Sequence, residues 1–381
     1  MRRSPAMPFG MPWALLLTLS IAPLATAAEI PAELQRSRLL VTLPENCPTP
    51  DAMAIDAEGN LVVTCPNFAD PTQQPCLIKV TPELEVVHWF DMPVHPETGR
   101  AAPMGIAFGP DGDLYVVDNQ NWATGNGEHG EINEGRLLRL RVRNGEIEDL
   151  TVVADTISHP NGVRVHGEHL YLTVSLLPKI EREDGLLVSG VYRFHLDDEG
   201  ILLSNTLDDE NLLATFVTYN RDVQYGADGL AFDSRGNLFV GNFGDGALHK
   251  ITFDEEGNVT SNTIFAQTDF DVPVSDPDFA EKMVQAKMRS IDGIWIDEAD
   301  NIYVADFSNN AVCMVDPQGE ITVLAQNPDS DGARGELNQP AEPIIWQGKL
   351  VVTNFNLVTG PDKVNTAHTR PFTISYIPLP E

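Results

Sequence analysis

The chain has 381 residues, with 56 aspartates and glutamates against 24 lysines and arginines, and a formal net charge of −32 at pH 7. That balance excludes nucleic acid as a partner, because a polyphosphate would be repelled. Hydrophobic residues make up 42% of the chain, enough for a large core, and the four cysteines fall in no zinc or thioredoxin spacing.

Residues 1–27 read as a secretory signal. Arg2 and Arg3 form its basic end, residues 13–22 its apolar run, and Ala25-Thr26-Ala27 a small-residue cleavage site. The run is too short and too broken by proline to span a bilayer, and no later segment is long and apolar enough. The expectation is a secreted or periplasmic protein, off the membrane once the signal is cleaved. An oxidising compartment permits disulfides. Cys65 and Cys76 are expected to face each other across a hairpin connection, with Cys47–Cys65 the competing pair and Cys313 a buried thiol in a strand.

Residues 37–43 form a strand that precedes any repeat. From residue 51 onward one unit recurs, most clearly over residues 227–240: a polar residue, a short strand with alternating Leu230 and Phe232, a turn carrying Asp233 and Gly236-Asn237, and a second strand. The last apolar residue of the first strand is Ile55, Phe108, Val165, Phe232, Ile296 and Trp346 in successive copies. Four residues upstream of each stand Asp51, Met104, Asn161, Asp228, Asp292 and Glu342, at spacings of about 50 to 70 residues.

A repeat of that length and content signals a propeller, in which equivalent positions converge on one axis. The expected fold is all-β: a single domain over residues 28–381, a six-bladed β-propeller of four-stranded antiparallel blades. The last repeat supplies only three strands, so the N-terminal strand is expected to close the last blade. Long segments (residues 119–135, 175–186, 218–227, 268–291 and 355–370) fall on the face of the polar ring, where binding usually lives. One of them, residues 275–289, reads as a short helix with Pro277 near its start and Phe279, Met283 and Ala286 on one side. It would serve as a lid before Asp292 or plug the channel mouth.

Carboxylates and an amide around a narrow channel describe a site for a hard cation, calcium first, with another divalent cation possible. Asp51, Asn161 and Asp228 are the first-choice ligands, with Glu342 and Asp292 adjacent. Carboxylates so crowded either bind a cation or keep a proton. The competing reading is that such residues hydrogen-bond the neighbouring blade. His159 is a candidate general base, and His129 and His368 lie in long loops on the same face. A second inner register at the ends of the second strands holds Cys65, Asp118, Val174, Asn242, Asp306 and Asn354. Its members would orient the ring, and Asp118 and Asn242 are candidate substrate contacts. No nucleophile elbow, zincin motif or phosphate loop occurs.

Pro160-Asn161-Gly162-Val163, Ala227-Asp228-Gly229-Leu230 and Gly236-Asn237-Leu238-Phe239-Val240 resemble the hallmark segments of the gluconolactonase, regucalcin (senescence marker protein) and luciferin-regenerating-enzyme superfamily. The resemblance extends over all six repeats. It implies a six-bladed propeller holding a divalent cation, commonly calcium, on its axis, and hydrolysis of lactones or related esters and phosphoesters. By that resemblance Asn161 and Asp228 are metal ligands, Asp228 is also the base, and Asp51 stands where the family has a first-blade glutamate. Hydrolytic relatives often carry a second-blade asparagine where this chain has Pro103-Met104. Met104, with Trp122 as a further wall, then marks a more apolar pocket, and the expected substrate is a hydrophobic lactone or aryl ester. The alternative is a non-catalytic propeller that binds a ligand or protein, its cation structural.

Overall fold

The computed structural model describes residues 34–123, 133–270, 272–274, 276, 278–357 and 363–379. The signal sequence expected over residues 1–27 lies outside them. Six sheets follow one another along the chain. Blade one is Met53–Ile55, Leu61–Cys65, Cys76–Val80 and Val86–Asp91; blade two is Pro103–Phe108, Leu114–Asp118, Gly135–Arg143 and Glu146–Ile157. Blade three is Pro160–His166, His169–Val174, Leu187–His195 and Leu212–Thr218; blade four is Ala227–Phe232, Leu238–Asn242, Ala247–Phe253 and Val259–Ala266. Blade five is Ile294–Ile296, Ile302–Asp306, Ala311–Val315 and Ile321–Gln326. Blade six takes Pro340–Trp346, Lys349–Asn354 and Thr373–Pro378, and its fourth strand is the N-terminal Arg38–Thr42.

That last pairing closes the ring as expected. It is antiparallel, with Leu39 opposite Ser375 and Thr42 opposite Thr373, and it covers the edge of Thr373–Pro378 with a short outer strand. Leu40 and Val41 are buried in a core shared with blade one.

The hairpin turns are written in the sequence. Asp56, Asp233 and Asp297 each accept a bond from the backbone N–H of the asparagine four residues on (2.8, 2.8 and 2.9 Å), and the asparagine side chain returns to the other carboxylate oxygen (2.9, 2.7 and 3.0 Å). Such Asx contacts hold the tight turn between first and second strands.

Two features differ from the sequence expectation. Ile201–Leu202 leaves the connection inside blade three and adds a parallel fifth strand to the edge of blade two, Ile201 opposite Ala154. The helix near Asp292 is shorter than expected, Phe279–Met283, with Ser275 and Pro277 outside the described residues. Its chain tightens at once into i→i−3 bonds, Gln285 N–H to Lys282 (2.9 Å) and Ala286 N–H to Met283 (3.1 Å). Phe279, Met283 and Ala286 nevertheless share one buried face, packed on Tyr219, Phe270 and Val274. Among the described residues no helix is long and apolar enough to cross a membrane.

Candidate axial metal site

Four of the six axial residues reach the channel by a common device. In blades two, three, four and six the first-strand register shifts between Pro103 and Ile106, Pro160 and Val163, Ala227 and Leu230, and Pro340 and Pro343. Met104, Asn161, Asp228 and Glu342 sit inside those bulges, which re-aim a side chain out of the pleat. Asp51 and Asp292 lie just before the first strands of their blades.

Glycine follows the axial residue in blades two to five because the inner strands touch there. A Cβ on Gly105, Gly162 or Gly229 would stand 2.5, 2.8 or 2.3 Å from the carbonyl oxygen of Asn161, Asp228 or Asp292 in the next blade, and one on Gly293 would stand 2.1 Å from Glu342 Oε2. Threonines on the second strands lock the contact. Thr173 Oγ1 donates to the Asp228 carbonyl (2.6 Å) while accepting from Gly162 N–H (2.7 Å); Thr353 Oγ1 donates to the Asp51 carbonyl (2.5 Å) while accepting from Glu342 N–H (3.0 Å). Blade thus binds blade at the level of the ring, through the backbone of the axial residues.

Asp51, Asn161, Asp228 and Glu342 are buried and Asp292 nearly so. Their electrostatics describe one cluster. Burial, and then the charge of Glu342, pushes the Asp51 carboxyl up to about 8. Burial raises Asp228 well above its ordinary range, with Asp51 and Glu342 adding to it and a hydrogen bond from Asp292 opposing it. Asp292 is raised by burial and by the charges of Asp228, Asp51 and Glu342. Burial also raises Glu342, opposed by Arg164. Without a cation this ring holds protons, and the Asp228 and Asp292 carboxyls share a hydrogen bond.

Arg164, which sequence reasoning missed, comes from blade three and pairs with Glu342 of blade six, with a second bond to the Ile294 carbonyl (3.2 Å). Asn161 donates its amide to Tyr225 Oη (3.3 Å) and Ser175 Oγ (3.5 Å), which turns its carbonyl oxygen to the remaining side. An oxygen-only donor set of carboxylates and an amide, with no thiol or clustered imidazole, fits a hard divalent cation. Asp51, Asn161, Asp228 and Asp292 would supply the oxygens, Glu342 being partly satisfied by Arg164. Among the described residues no three of the axial carboxylates bring their oxygens within 4.8 Å of one another, so the side chains would have to close in to grip an ion.

His159 is buried beside the ring, at φ 42°, its imidazole edge-on to Tyr225 with centroids 6.4 Å apart. Tyr225 therefore links it to Asn161. Met104 is buried and shares an apolar cluster with Val163, Leu177 and Phe68. Asp118 does not face the ring: it is fully buried, paired to Arg136 (2.6 Å), and accepts bonds from Ala102 N–H and Gln120 Nε2 (both 2.8 Å). Asn242 donates to the Val217 carbonyl (3.2 Å) and accepts from Thr218 Oγ1 (3.3 Å). Both, with Asp306 and Asn354, pin the connections between strands. Asp306 takes the N–H groups of Arg289 (2.8 Å) and Ser290 (3.0 Å), and Asn354 that of Asn338 (3.0 Å). His368 is exposed, bonded to the Asn356 carbonyl and stacked on Phe372 (5.4 Å). Trp122 belongs to the helical turn Gln120–Ala123, and His129 lies outside the described residues.

The residue after three of these pinning groups supplies an aromatic collar. Phe243, Phe307 and Phe355 follow Asn242, Asp306 and Asn354, and successive ring centroids are 5.8 Å apart; Phe68 continues the series at 6.1 Å from Phe355, and Tyr225 at 5.6 Å from Phe243. Ala341, next to Glu342, packs in the same cluster, so the collar rests on the acidic ring. Lys363 Nζ lies 5.4 and 5.7 Å over Phe243 and Phe307. The repeated Asn-Phe or Asp-Phe pair was the available sequence signal.

No family model and no curated protein matches the sequence. Solved structures do match it over nearly its whole length. A calcium-binding regucalcin from Agrobacterium tumefaciens is 13% identical, covers 90% of this chain and 93% of its own, and has a TM-score of 0.56. A luciferin-regenerating enzyme is 12% identical with 91% and 95% covered and a TM-score of 0.56; a gluconolactonase from Xanthomonas campestris is 16% identical with 94% and 99% covered and a TM-score of 0.50. The chain therefore has the six-bladed propeller fold found in gluconolactonase, regucalcin and luciferin-regenerating-enzyme structures.

Proposed function

We propose that this chain is an exported hydrolase of a lactone or related ester that works with a divalent cation, calcium first, at the axial ring. The observation that carries the reading is the set of buried axial carboxyls, each raised by burial and several by one another, with Arg164 as the cation that reaches Glu342. Nothing but a bound cation or retained protons makes such a cluster tolerable. The names of the similar structures point to the same chemistry.

A bound cation would supply Lewis-acid polarisation of the substrate carbonyl. The protein residues do the rest. Asp228, ionised when a cation offsets its neighbours, takes the proton of the attacking water, and Asp292, hydrogen-bonded to it, holds the carboxyl in place. Tyr225 orients Asn161, with His159 behind it. The phenylalanine collar and Met104 would take the apolar body of the substrate and keep water from the ring.

Met104 and the burial of the ring beneath its collar also favour a second reading, a binding propeller with a structural cation. A panel of lactones and aryl esters assayed with calcium and with a chelator separates them. Chelator-sensitive turnover supports the hydrolase; no turnover on any member supports the binding module.

A further inference from the structure

Three of the four cysteines converge at the seam where the ring closes. Cys47 lies in the linker between the closing strand Arg38–Thr42 and blade one, while Cys65 ends the second strand of that blade and Cys76, its cross-strand partner, begins the third. All three are buried in the apolar cluster shared by blades one and six, their sulfurs within 4.8 Å of one another. Cys47 Sγ is 2.7 Å from Cys65 Sγ, closer than two unbonded sulfurs rest. A tetrahedral metal at about 2.3 Å from each thiolate would hold the sulfurs farther apart.

The linker is tethered to both sides of the seam. Leu43 N–H bonds the Phe372 carbonyl of the blade-six side (2.8 Å), and Asn67 Nδ2 bonds the Asn46 carbonyl from blade one (3.0 Å). Cys76 lies opposite Cys65 and within reach of both other sulfurs, and the nearby His88 imidazole favours its thiolate, a contribution that persists once Cys47 and Cys65 are joined. A thiolate is the attacking form in exchange.

We propose that Cys47, Cys65 and Cys76 form a thiol–disulfide exchange site that clasps the closure of the ring, Cys47 and Cys65 joining on oxidation and Cys76 acting as the thiol that reopens the bond. In oxidation the two thiols lose two protons and two electrons to a disulfide donor such as oxidised glutathione, which leaves as two thiols. In exchange the Cys76 thiolate attacks Cys65 Sγ, a Cys65–Cys76 bond forms, the Cys47–Cys65 bond breaks, and Cys47 departs as the thiolate. The covalent tie between the linker and blade one is then released, leaving only hydrogen bonds such as that of Asn67 to the Asn46 carbonyl. Cys313, a buried thiol in blade five, takes no part.

The test equilibrates the protein with glutathione mixtures, counts thiols in denaturant and maps cross-links by mass spectrometry. In the oxidising mixture two of the four thiols should disappear, with Cys47–Cys65 the main cross-link and Cys65–Cys76 a minor one. Cys76→Ser should keep the first and lose the second; Cys47→Ser should form Cys65–Cys76 alone. Oxidation should raise the melting temperature of wild type and of Cys76→Ser by several degrees and that of Cys47→Ser much less, because its cross-link stays within one blade. Four free thiols in the oxidising mixture would overturn the proposal, as would one equivalent of zinc or copper released with three thiols on denaturation. Absence of Cys65–Cys76 from both wild type and Cys47→Ser would overturn the role of Cys76.

Discussion

Arg164 of blade three and Glu342 of blade six form an ion pair within the channel, joining two blades that are not neighbours in the ring. Both side chains are largely buried, so the pair is screened little and its loss leaves an uncompensated charge. Arg164→Met is expected to cost roughly 3–5 kcal/mol at neutral pH. Glu342→Gln in the same chain should recover much of that loss, since the orphaned carboxylate is gone. Urea denaturation of the two variants checks this, and equal stability of single and double variants would refute it.

The metal-free protein should lose stability as pH rises. An aspartate titrates near about 3.9 when unfolded, whereas Asp51 is raised to about 8 in the fold and Asp228 and Asp292 are raised too. Between those values the folded state binds more protons than the unfolded one, so each step up in pH favours unfolding. The penalty begins above about pH 4, grows through neutrality, and for Asp51 is complete above about pH 8. Calcium should flatten the slope, because the folded carboxylates then ionise readily. Melting temperatures across that range, with chelator and with calcium, measure both.

Removing the closing strand should cost more than its five residues suggest. Leu40 and Val41 are buried against blade one, each worth about 1.5–3 kcal/mol. Its loss also strips the bonds from Thr373–Pro378 and exposes a strand edge. A chain starting at residue 44 is expected to be expressed as aggregate or to melt far below the full-length protein.

Met104 occupies the axial position of blade two, where it is buried and offers no hydrogen bond. Met104→Asn should shift the ratio of kcat/KM values toward polar lactones, by roughly tenfold for one group matched or mismatched in such a pocket. If gluconolactone is already the preferred substrate of the unmutated protein, this account of the pocket is wrong.

The blades and their closure were legible because period-two apolar strands and Asp-to-Asn turns recur at a fixed offset. The axial ring was legible for the same reason, helped by the glycine that must follow wherever inner strands touch. Arg164 was not, because the bulge between Pro160 and Val163 breaks the alternation by which inward positions are counted. The collar escaped because Phe243, Phe307 and Phe355 stand just past the strands, outside the aligned unit. Asp118 misled: the same offset as the pinning residues suggested a channel contact, and its partner Arg136 lies on the next strand of its own blade. The edge strand Ile201–Leu202 carries almost no pattern in two residues.

The central claim is that the axial ring holds a divalent cation through Asp228. Binding to the folded state alone raises stability by mass action, about 2.7 kcal/mol at a hundredfold excess over the dissociation constant. The direct measurement is the melting temperature of wild type and Asp228→Ala with millimolar calcium and with chelator. Asp228→Ala should fold, since it removes a crowded buried carboxyl. The account predicts a rise of several degrees with calcium for wild type and none for the variant; equal responses in the two proteins, or none in wild type, would contradict it.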